Sequence, residues 1–386
     1  MAGKFTVMTV FGTRPEAVKM APLVKAVERH PDLRGLVCVT GQHRHMLDSV
    51  LDAFGIKPNF DLDIMTPRQT LAGIAAKTLS GLDEVLEREK PDLVLVHGDT
   101  SAALMSALTA FYHQIPVGHV EAGLRTWARY SPFPEEMNRQ MIARVSSINF
   151  CPTAANRENL VRENAGGAAY VTGNTVIDAL GLTVRGGHEF SDPALGALDF
   201  EKYRVLLVTA HRRENYGRPL ENICRALLDI TERHPDALVL YPVHMSPAVR
   251  ETVYPILEGR ERVILCDPVD VFDMHNIMAR CHLVLTDSGG LQEEAPALGK
   301  PVLVMRRETE RPEAVAAGTV LLAGIEREDI AFEASRLLGD PAHYAAMAKA
   351  VNPYGDGRAS ERIVQAVLHF AGLASSPPEE FKGSRA

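Results

Sequence analysis

Short, mostly apolar runs alternate with longer amphipathic segments along the first part of the chain. Such runs are typical of strands that are buried on both faces of a parallel sheet. They predict strands over 5–11, 36–40, 93–96, 117–120 and 148–151, the last of which we expect to close the sheet. The segments between them predict helices that end near residues 30 and 54, helices over 70–88 and 101–113, and a helix that opens at 135. Regular alternation of strand and helix predicts a parallel sheet covered by helices.

The same alternation restarts after a glycine-rich, polar region at 181–199. Strands are predicted over 205–209, 238–243, 263–266, 283–286 and 302–305, and helices over 326–338, 341–350 and 360–370. A chain of 386 residues exceeds the size at which one core usually splits into two. We therefore expect two doubly wound, Rossmann-like α/β domains. The first is residues 1–172 completed by a helix at 360–372, the second is 173–359, and 373–386 is expected to be a disordered tail.

Composition excludes several classes of function. The formal net charge is −8, and the chain has neither a basic stretch suited to nucleic acid nor an apolar run that could span a membrane. The amino-terminal residues lack the apolar segment of a secretory signal, which predicts a cytoplasmic protein. The five cysteines are scattered and form no CxxC pair, a pattern typical of small buried residues in a reducing compartment. We expect no nucleic-acid or membrane partner.

Three carboxylates are predicted to gather at one edge of the first sheet. Asp99 follows the strand at 93–96, Glu121 follows the strand at 117–120, and a third acidic site, Glu135-Glu136, opens the next helix. The carboxyl ends of parallel strands face the crevice where open α/β sheets bind ligands. We therefore expect these carboxylates on one rim, together with nearby basic side chains: His97, His119, Arg125 and Arg139.

Two other interpretations of this rim remain open. Asp99 would be a good helix N-cap, and an acidic residue in a first helical turn, such as Glu135, complements the helix dipole. A metal site for hydrolysis is the second alternative, with four candidate ligands: His97, Asp99, His119 and Glu121.

Two strand–turn–helix segments are candidate phosphate sites. The first is Gly12-Thr13-Arg14-Pro15-Glu16, where Arg14 and Lys19 add positive charge; it is not GxGxxG and supports a dinucleotide cofactor only weakly. The second is Asp287-Ser288-Gly289-Gly290, whose amides could bind a phosphate at a helix N-terminus, while Glu294 could accept from ribose hydroxyls. His211 with Arg212 and Arg213 could neutralise a diphosphate, and Arg311 would lie close to bound phosphate if the two rims face each other. The alternative is a tight turn followed by a solvated acidic helix face.

The motifs around these residues resemble a known family. They are FGTRPEAVKMAPL, TGQHRHML, VHGDTSAAL, HVEAGLRT, SPFPEEMNR, TAHRRENYG, LTDSGGLQEEAPALGKPVLVMR, ERPEA and NPYGDG. In the order and spacing of these motifs, the chain resembles the bacterial non-hydrolysing UDP-N-acetylglucosamine 2-epimerase family. The resemblance implies two domains that face across a cleft (the GT-B architecture) and reversible conversion of UDP-GlcNAc to UDP-ManNAc, without a metal or redox cofactor. It also implies a homodimer and a supply of ManNAc for surface polysaccharides.

The resemblance also implies roles for individual residues. UDP would leave to form a 2-acetamidoglucal and then re-add. The acid–base and leaving-group residues would be Asp99, Glu121, Glu135 and His211. The residues that bind substrate or UDP would be Arg14, Lys19, Arg139, Ser288, Gly289, Gly290, Glu294 and Arg311. A second UDP-GlcNAc site that activates the reverse reaction would use Gln42, Arg68, Arg212 and His244, while His45 stands where a glutamine is common. A hydrolysing epimerase, a GT-B glycosyltransferase and a non-catalytic nucleotide-sugar sensor remain alternatives.

Overall fold

The computed structural model describes residues 3–41, 44–66 and 69–383, with the backbone alone for 44–46. The amino-terminal elements are β1 (Phe5–Phe11), α1 (Arg14–Arg29), β2 (Leu33–Val39), α2 (Arg44–Ala53), β3 (Phe60–Asp61), α3 (Leu71–Glu89), β4 (Leu93–His97), α4 (Ser101–Tyr112), β5 (Val117–Val120), α5 (Glu135–Val145), β6 (Ile148–Cys151), α6 (Ala154–Arg162), β7 (Ala168–Val171) and α7 (Thr175–Thr183). The elements that follow are α8 (Pro193–Gly196), β8 (Arg204–Thr209), α9 (Arg218–Arg233), β9 (Ala237–Pro242), α10 (Pro247–Leu257), β10 (Val263–Cys266), α11 (Val271–Arg280), β11 (Leu283–Thr286), α12 (Gly289–Ala297), β12 (Val302–Val304), α13 (Pro312–Ala316), β13 (Val320–Leu322), α14 (Arg327–Gly339), α15 (Pro341–Ala348) and α16 (Ala359–Phe370). The alternation of strand and helix confirms the predicted α/β class.

The chain divides into two compact units, and unit 1 comprises Met1–Ala179 and Tyr354–Lys382. Its seven strands are parallel in the order β3-β2-β1-β4-β5-β6-β7. Every residue of β4 and β5 is buried, as their apolar sequences predict. The expectation that β6 closes the sheet is wrong, because β7 lies beyond it. That edge strand is half-exposed and rich in alanine, so it lacks the apolar run of a buried strand.

The order of strands places a topological switch point in unit 1. Strand β1 pairs with β2 on one side and with β4 on the other. The connections from β1 and β4 therefore run in opposite directions, and the crevice between them is where such sheets bind ligands. The loops that follow β1 and β4 begin at Gly12 and Gly98.

Unit 2, Leu180–Pro353 with Gly383–Ala386, repeats this arrangement. Its six strands are parallel in the order β10-β9-β8-β11-β12-β13, and the switch point lies between β8 and β11. The sequence did not predict β13, a three-residue edge strand that is only partly buried. Tyr241 is fully buried on β9 and donates to the carbonyl of Ala210, which holds the loop after β8 over the sheet end (2.7 Å).

The boundary between the units differs from the one expected at 172/173 and 359/360. The carboxylate of Asp178 accepts from the amides of Ala359 and Ser360 (3.1 and 2.7 Å), which keeps the start of α7 with α16. The segment 373–382, expected to belong to a disordered tail, is instead placed on unit 1. Glu380 forms an ion pair with Arg157 (2.7 Å), and the backbone amide of Phe381 donates to the carbonyl of Val171, the last residue of β7. No helix in the described part of the chain combines the length and hydrophobicity needed to span a membrane.

Candidate active site

Glu121 follows β5 at the rim of unit 1 and has a left-handed backbone (φ +64°). The turn continues through Gly123 (φ +87°), where a Cβ would lie 2.1 Å from the carbonyl oxygen of Asn156. Only glycine fits there, so the course of this turn is determined by its contact with α6. The Glu121 carboxylate is ion-paired with Lys19 of α1 and accepts from the side-chain Nδ2 of Asn174 (2.9 Å).

His97, at the end of β4, lies behind this carboxylate. Its Nε2 is 3.8 Å from Oε2 of Glu121, and the ring is 3% exposed. Burial lowers the pKa of His97 to about 3, against the opposing effect of the Glu121 charge. The imidazole is therefore neutral near pH 7. Neither ring nitrogen has a hydrogen-bond partner among the described residues.

Asp99 lies on the neighbouring loop and is held by a different helix. Arg139 of α5 donates to its carboxylate from Nε (2.9 Å), with Nη2 at 2.5 Å. The N-cap of α4 is Thr100, whose hydroxyl accepts from the amide of Ala103 (3.0 Å). The interpretation of Asp99 as an N-cap is therefore wrong.

Glu135 and Glu136 are adjacent but have different environments. Glu136 is fully buried and accepts from the amides of Thr126 and Trp127 (2.9 and 3.2 Å). Burial acts to raise the pKa of Glu136, but these hydrogen bonds and Arg139 outweigh it and lower the pKa. Glu135 begins α5, is half-exposed, and has no ion pair or side-chain hydrogen bond to any described residue. Of the two acids, Glu135 is the one available to a ligand.

Glu16 is a positioning residue at this rim, although the sequence indicated it only as part of the first phosphate turn. Its buried carboxylate accepts from the amides of Gly12 and Thr13 (2.9 and 2.8 Å) and from the hydroxyl of Thr100 (2.8 Å). It therefore ties the loop after β1 to the loop after β4, across the switch point. Arg14 begins α1 in this turn and is half-buried. The capping-box pattern Thr13-x-x-Glu16 is a sequence signal for the turn, but not for the contact with Thr100.

The other basic residues expected at the rim have structural contacts. His119 contacts the carbonyl of Gly98 through Nε2 (2.7 Å), and burial lowers its pKa to about 4. Arg125 faces α6, where its guanidinium forms a two-point ion pair with Glu163 (2.7 and 2.8 Å). Among the described residues, no three histidine, cysteine or acidic side chains are grouped as metal ligands.

The candidate phosphate site of unit 2 lies at the N-terminus of α12. Ser288 is the N-cap, and Gly289 and Gly290 open the helix. A Cβ at Gly289 would lie 3.6 Å from Nη2 of Arg212 and 3.9 Å from Nη2 of Arg311. Two guanidinium groups therefore flank the amides of a helix N-terminus, an arrangement that suits a diphosphate.

Asp287, just before this turn, is a buried positioning residue that the sequence indicated only as part of the glycine-rich motif. One of its carboxylate oxygens accepts from the amides of His211 and Arg212 (2.8 Å each) and from the side chain of Asn215 (3.0 Å). The loops after β8 and β11 are thereby joined at the switch point of unit 2. The signal for this role was an acidic residue directly at the end of a buried strand.

His211 and His244 stack face to face, with ring centroids 5.1 Å apart. Burial lowers the pKa of His211, while the charge of Asp287 opposes that shift. Arg212 lies on the same loop as His211, and its Nη1 is 3.6 Å from a carboxylate oxygen of Glu310. Two of the four proposed regulatory residues, Arg212 and His244, are thus brought to the phosphate site. The other two, Gln42 and Arg68, lie outside the described residues, as does the side chain of His45.

Arg311 and Glu294 complete this site. Arg311 is ion-paired with the buried carboxylate of Glu293. Glu294 lies one helical turn after Gly290, and its carboxylate is 3.3 Å from Nε2 of the buried His275. The structure therefore brings these predicted residues of unit 2 together around the N-terminus of α12: Ser288, Gly289, Gly290, Glu294, Arg311 and His211.

Comparison with known proteins identifies similar chains. The family model described as UDP-N-acetylglucosamine 2-epimerase matches residues 25–368. The UDP-N-acetylglucosamine 2-epimerase of Bacillus subtilis (strain 168) is 54% identical over 381 residues, which are 98% of this chain and 99% of that protein. A crystal structure of a UDP-N-acetylglucosamine 2-epimerase superposes with a TM-score of 0.91 at 51% identity, covering 99% of this chain and all of the other. The Neisseria meningitidis UDP-GlcNAc 2-epimerase bound to UDP-GlcNAc has a TM-score of 0.83 at 44% identity, covering 94% of this chain and 100% of that one.

Proposed function

We propose, because this chain belongs to the UDP-N-acetylglucosamine 2-epimerase family, that it interconverts UDP-GlcNAc and UDP-ManNAc. The relative from Neisseria meningitidis was crystallised with UDP-GlcNAc, which supports the same nucleotide sugar as the ligand here. The product differs only in configuration at C2 of the sugar. UDP is then both the group that leaves and the group that returns.

The chemistry of C2 explains why such an enzyme needs carboxylates and cations. The C2 hydrogen is not acidic, because no carbonyl adjoins C2 in the sugar ring. Departure of UDP from C1 must therefore run ahead of proton loss, through an oxocarbenium-like transition state of the kind seen in glycoside cleavage. Proton transfer requires positioned acids and bases, and the leaving diphosphate requires cations. The intermediate is 2-acetamidoglucal with UDP, and re-addition after proton return to the other face completes the epimerisation.

The observation that carries this proposal is the pair of carboxylates at the rim of unit 1. Asp99 and Glu121 follow adjacent strands, and each is held by a cation from a different helix: Arg139 and Lys19, respectively. Glu135 supplies a third carboxylate at the start of α5. Such a set can take a proton from one face of C2 and return one to the other.

Unit 2 is assigned the nucleotide. The amides of Ser288, Gly289 and Gly290, with the guanidinium groups of Arg212 and Arg311, would hold the diphosphate. Because burial lowers its pKa, His211 is a neutral donor that assists departure of UDP. Glu294 would accept from the ribose hydroxyls.

Regulation and assembly follow the family pattern in the same proposal. UDP-GlcNAc bound at Arg212 and His244, together with Gln42 and Arg68, would activate the reverse reaction. The enzyme would act as a homodimer in the cytoplasm and supply ManNAc for surface polysaccharides.

Proton NMR in D2O tests the reaction. Incubation with UDP-GlcNAc should produce UDP-ManNAc that carries deuterium at C2, with traces of 2-acetamidoglucal and UDP. Product that retains C2 protium would contradict the elimination, and release of free ManNAc would identify a hydrolysing enzyme instead.

Carboxylate variants test the residues. Asp99→Asn, Glu121→Gln and Glu135→Gln should each lower turnover by roughly 10²–10⁴-fold while UDP affinity stays nearly constant. A double variant should be little worse than the worse single one, because the groups act as a unit. Glu87→Gln, which removes an exposed carboxylate on α3, is the matched control and should be unaffected. Wild-type turnover in both Asp99→Asn and Glu121→Gln would refute the assignment.

A further inference from the structure

His275 is a buried histidine on α11 with both ring nitrogens directed at polar groups. Its Nδ1 lies 2.7 Å from the hydroxyl of Thr183, and its Nε2 lies 3.3 Å from a carboxylate oxygen of Glu294. The ring is 2% exposed. When Nδ1 accepts a hydrogen bond from the Thr183 hydroxyl, the neutral imidazole carries its proton on Nε2, and this N–H points toward Glu294.

The Glu294 carboxylate depends on this contact. Among the residues that the structure describes, the ring of His275 is the single group within ion-pair distance of Glu294. The other carboxylate oxygen is directed toward the first turn of α12, 3.3 Å from where a Cβ on Gly290 would lie. One oxygen thus lies beside His275, and the other faces the turn that carries the proposed phosphate ligands.

Anchoring of the chain does not account for His275, because its neighbour already supplies that contact. The side chain of Asn276 donates to the carbonyl of Thr183 and accepts from the amide of Arg185 (2.8 and 3.0 Å). The segment before unit 2's first strand is therefore held to α11 without the imidazole. What remains for His275 is the orientation of Glu294.

We propose that His275 is a positioning residue that sets the orientation of Glu294 and thereby makes the site select ribonucleoside over 2′-deoxyribonucleoside diphosphates. This inference rests on the proposed role of Glu294 as the acceptor for ribose hydroxyls. A carboxylate accepts from two adjacent hydroxyls only when its plane is held in the right orientation. Without a constraint, rotation about the last side-chain bond of Glu294 would leave that orientation free. The imidazole supplies that constraint from the side away from the ligand.

Calorimetric titration of the full-length protein with UDP and with 2′-deoxy-UDP tests the inference. Because a hydrogen bond to a carboxylate is lost, the wild type should bind UDP roughly ten- to a hundredfold more tightly than 2′-deoxy-UDP. His275→Asn retains a polar group near Thr183 but none at Nε2, and should lose most of this preference. His275→Gln places an amide near the position of Nε2 and should restore it. The double variant His275→Asn/Glu294→Gln should show the same preference as Glu294→Gln alone, because His275 acts through Glu294.

The outcomes separate this inference from the proposed function. A wild type that fails to bind UDP would overturn the proposed function itself. If the wild type prefers UDP and His275→Asn keeps the full preference, the inference alone is overturned. Equal weakening of both ligands in His275→Asn and His275→Gln would indicate a purely structural histidine and would also overturn it. Melting temperatures of the variants provide the check on folding.

Discussion

Gly123→Ala should destabilise unit 1 and displace the turn that carries Glu121. The residue has φ +87°, a conformation that costs an L-residue about 1–2 kcal/mol. The new Cβ would also lie 2.1 Å from the carbonyl oxygen of Asn156, whereas close carbon–oxygen contacts are normally about 3.3–3.6 Å. One of the two backbones must therefore move by roughly 1 Å, and overpacking of this kind costs about 1–3 kcal/mol. The sum, about 2–5 kcal/mol, is a large part of a typical domain's stability.

Gly55→Ala is the matched control for this prediction. Gly55 lies in the same unit, has φ +60°, and has no heavy atom of the described residues within 4 Å of the position that an added methyl group would occupy. It should show the cost of the left-handed backbone without the steric overlap. The gain from restricting the unfolded chain is common to both substitutions and cancels in the comparison.

Urea unfolding followed by tryptophan fluorescence provides the assay. Trp127 is the single tryptophan of the chain and belongs to unit 1, so its signal reports on that unit. Gly123→Ala should lose about 1–3 kcal/mol more than Gly55→Ala, and only Gly123→Ala should lower turnover, because Glu121 lies two residues before it. Equal losses of stability in the two variants would refute the steric argument.

Three further predictions follow from buried titratable groups. Burial raises the pKa of Glu16, so its contribution to stability is present below the ordinary value of 4.5 and is lost as pH rises through the folded-state pKa. In urea titrations, the unfolding free energy of the wild type relative to Glu16→Gln should therefore fall as the pH rises above 4.5, and a constant difference would contradict this. Because the pKa of His97 is about 3, His97→Gln should shift no limb of the kcat–pH profile between pH 5 and 8, and disappearance of such a limb would show that His97 titrates there. Burial also raises the pKa of all five thiols, those of Cys38, Cys151, Cys224, Cys266 and Cys281, to about 12. Mass spectrometry after treatment with iodoacetamide at pH 8 should therefore find the native protein unmodified and the urea-unfolded chain alkylated five times. Any adduct on the native protein would contradict the burial of these thiols.

Local sequence determined the class of fold and the position of most elements. Strands such as β4 and β5 are buried on both faces, so their composition alone distinguishes them from their surroundings. The edge strands β3, β7 and β13 were missed, because each is short and partly exposed and depends on a neighbouring strand for its hydrogen bonds. A pattern of hydrophobic residues carries little information about such strands.

Asp99 and Glu121 were identifiable from sequence, since they follow predicted strands. Their roles depended on partners far away in the chain. Glu16 accepts a hydrogen bond from the hydroxyl of Thr100, which lies 84 positions later in the sequence. The same Thr100 hydroxyl, rather than Asp99, caps α4. Likewise, nothing local distinguishes Glu135 from Glu136; only the amides of the loop at 126–127 separate a buried structural acid from one available to a ligand.

His275 shows the same limit in unit 2. Its residue type and its place on an amphipathic helix are those of an ordinary core histidine. Only packing of α11 beside α12 brings its ring to Glu294. Local sequence determines which backbone conformation a segment prefers, because that preference arises from nearby residues. Which polar groups pair is decided by the tertiary structure, because it sets which distant groups are buried together and must satisfy one another.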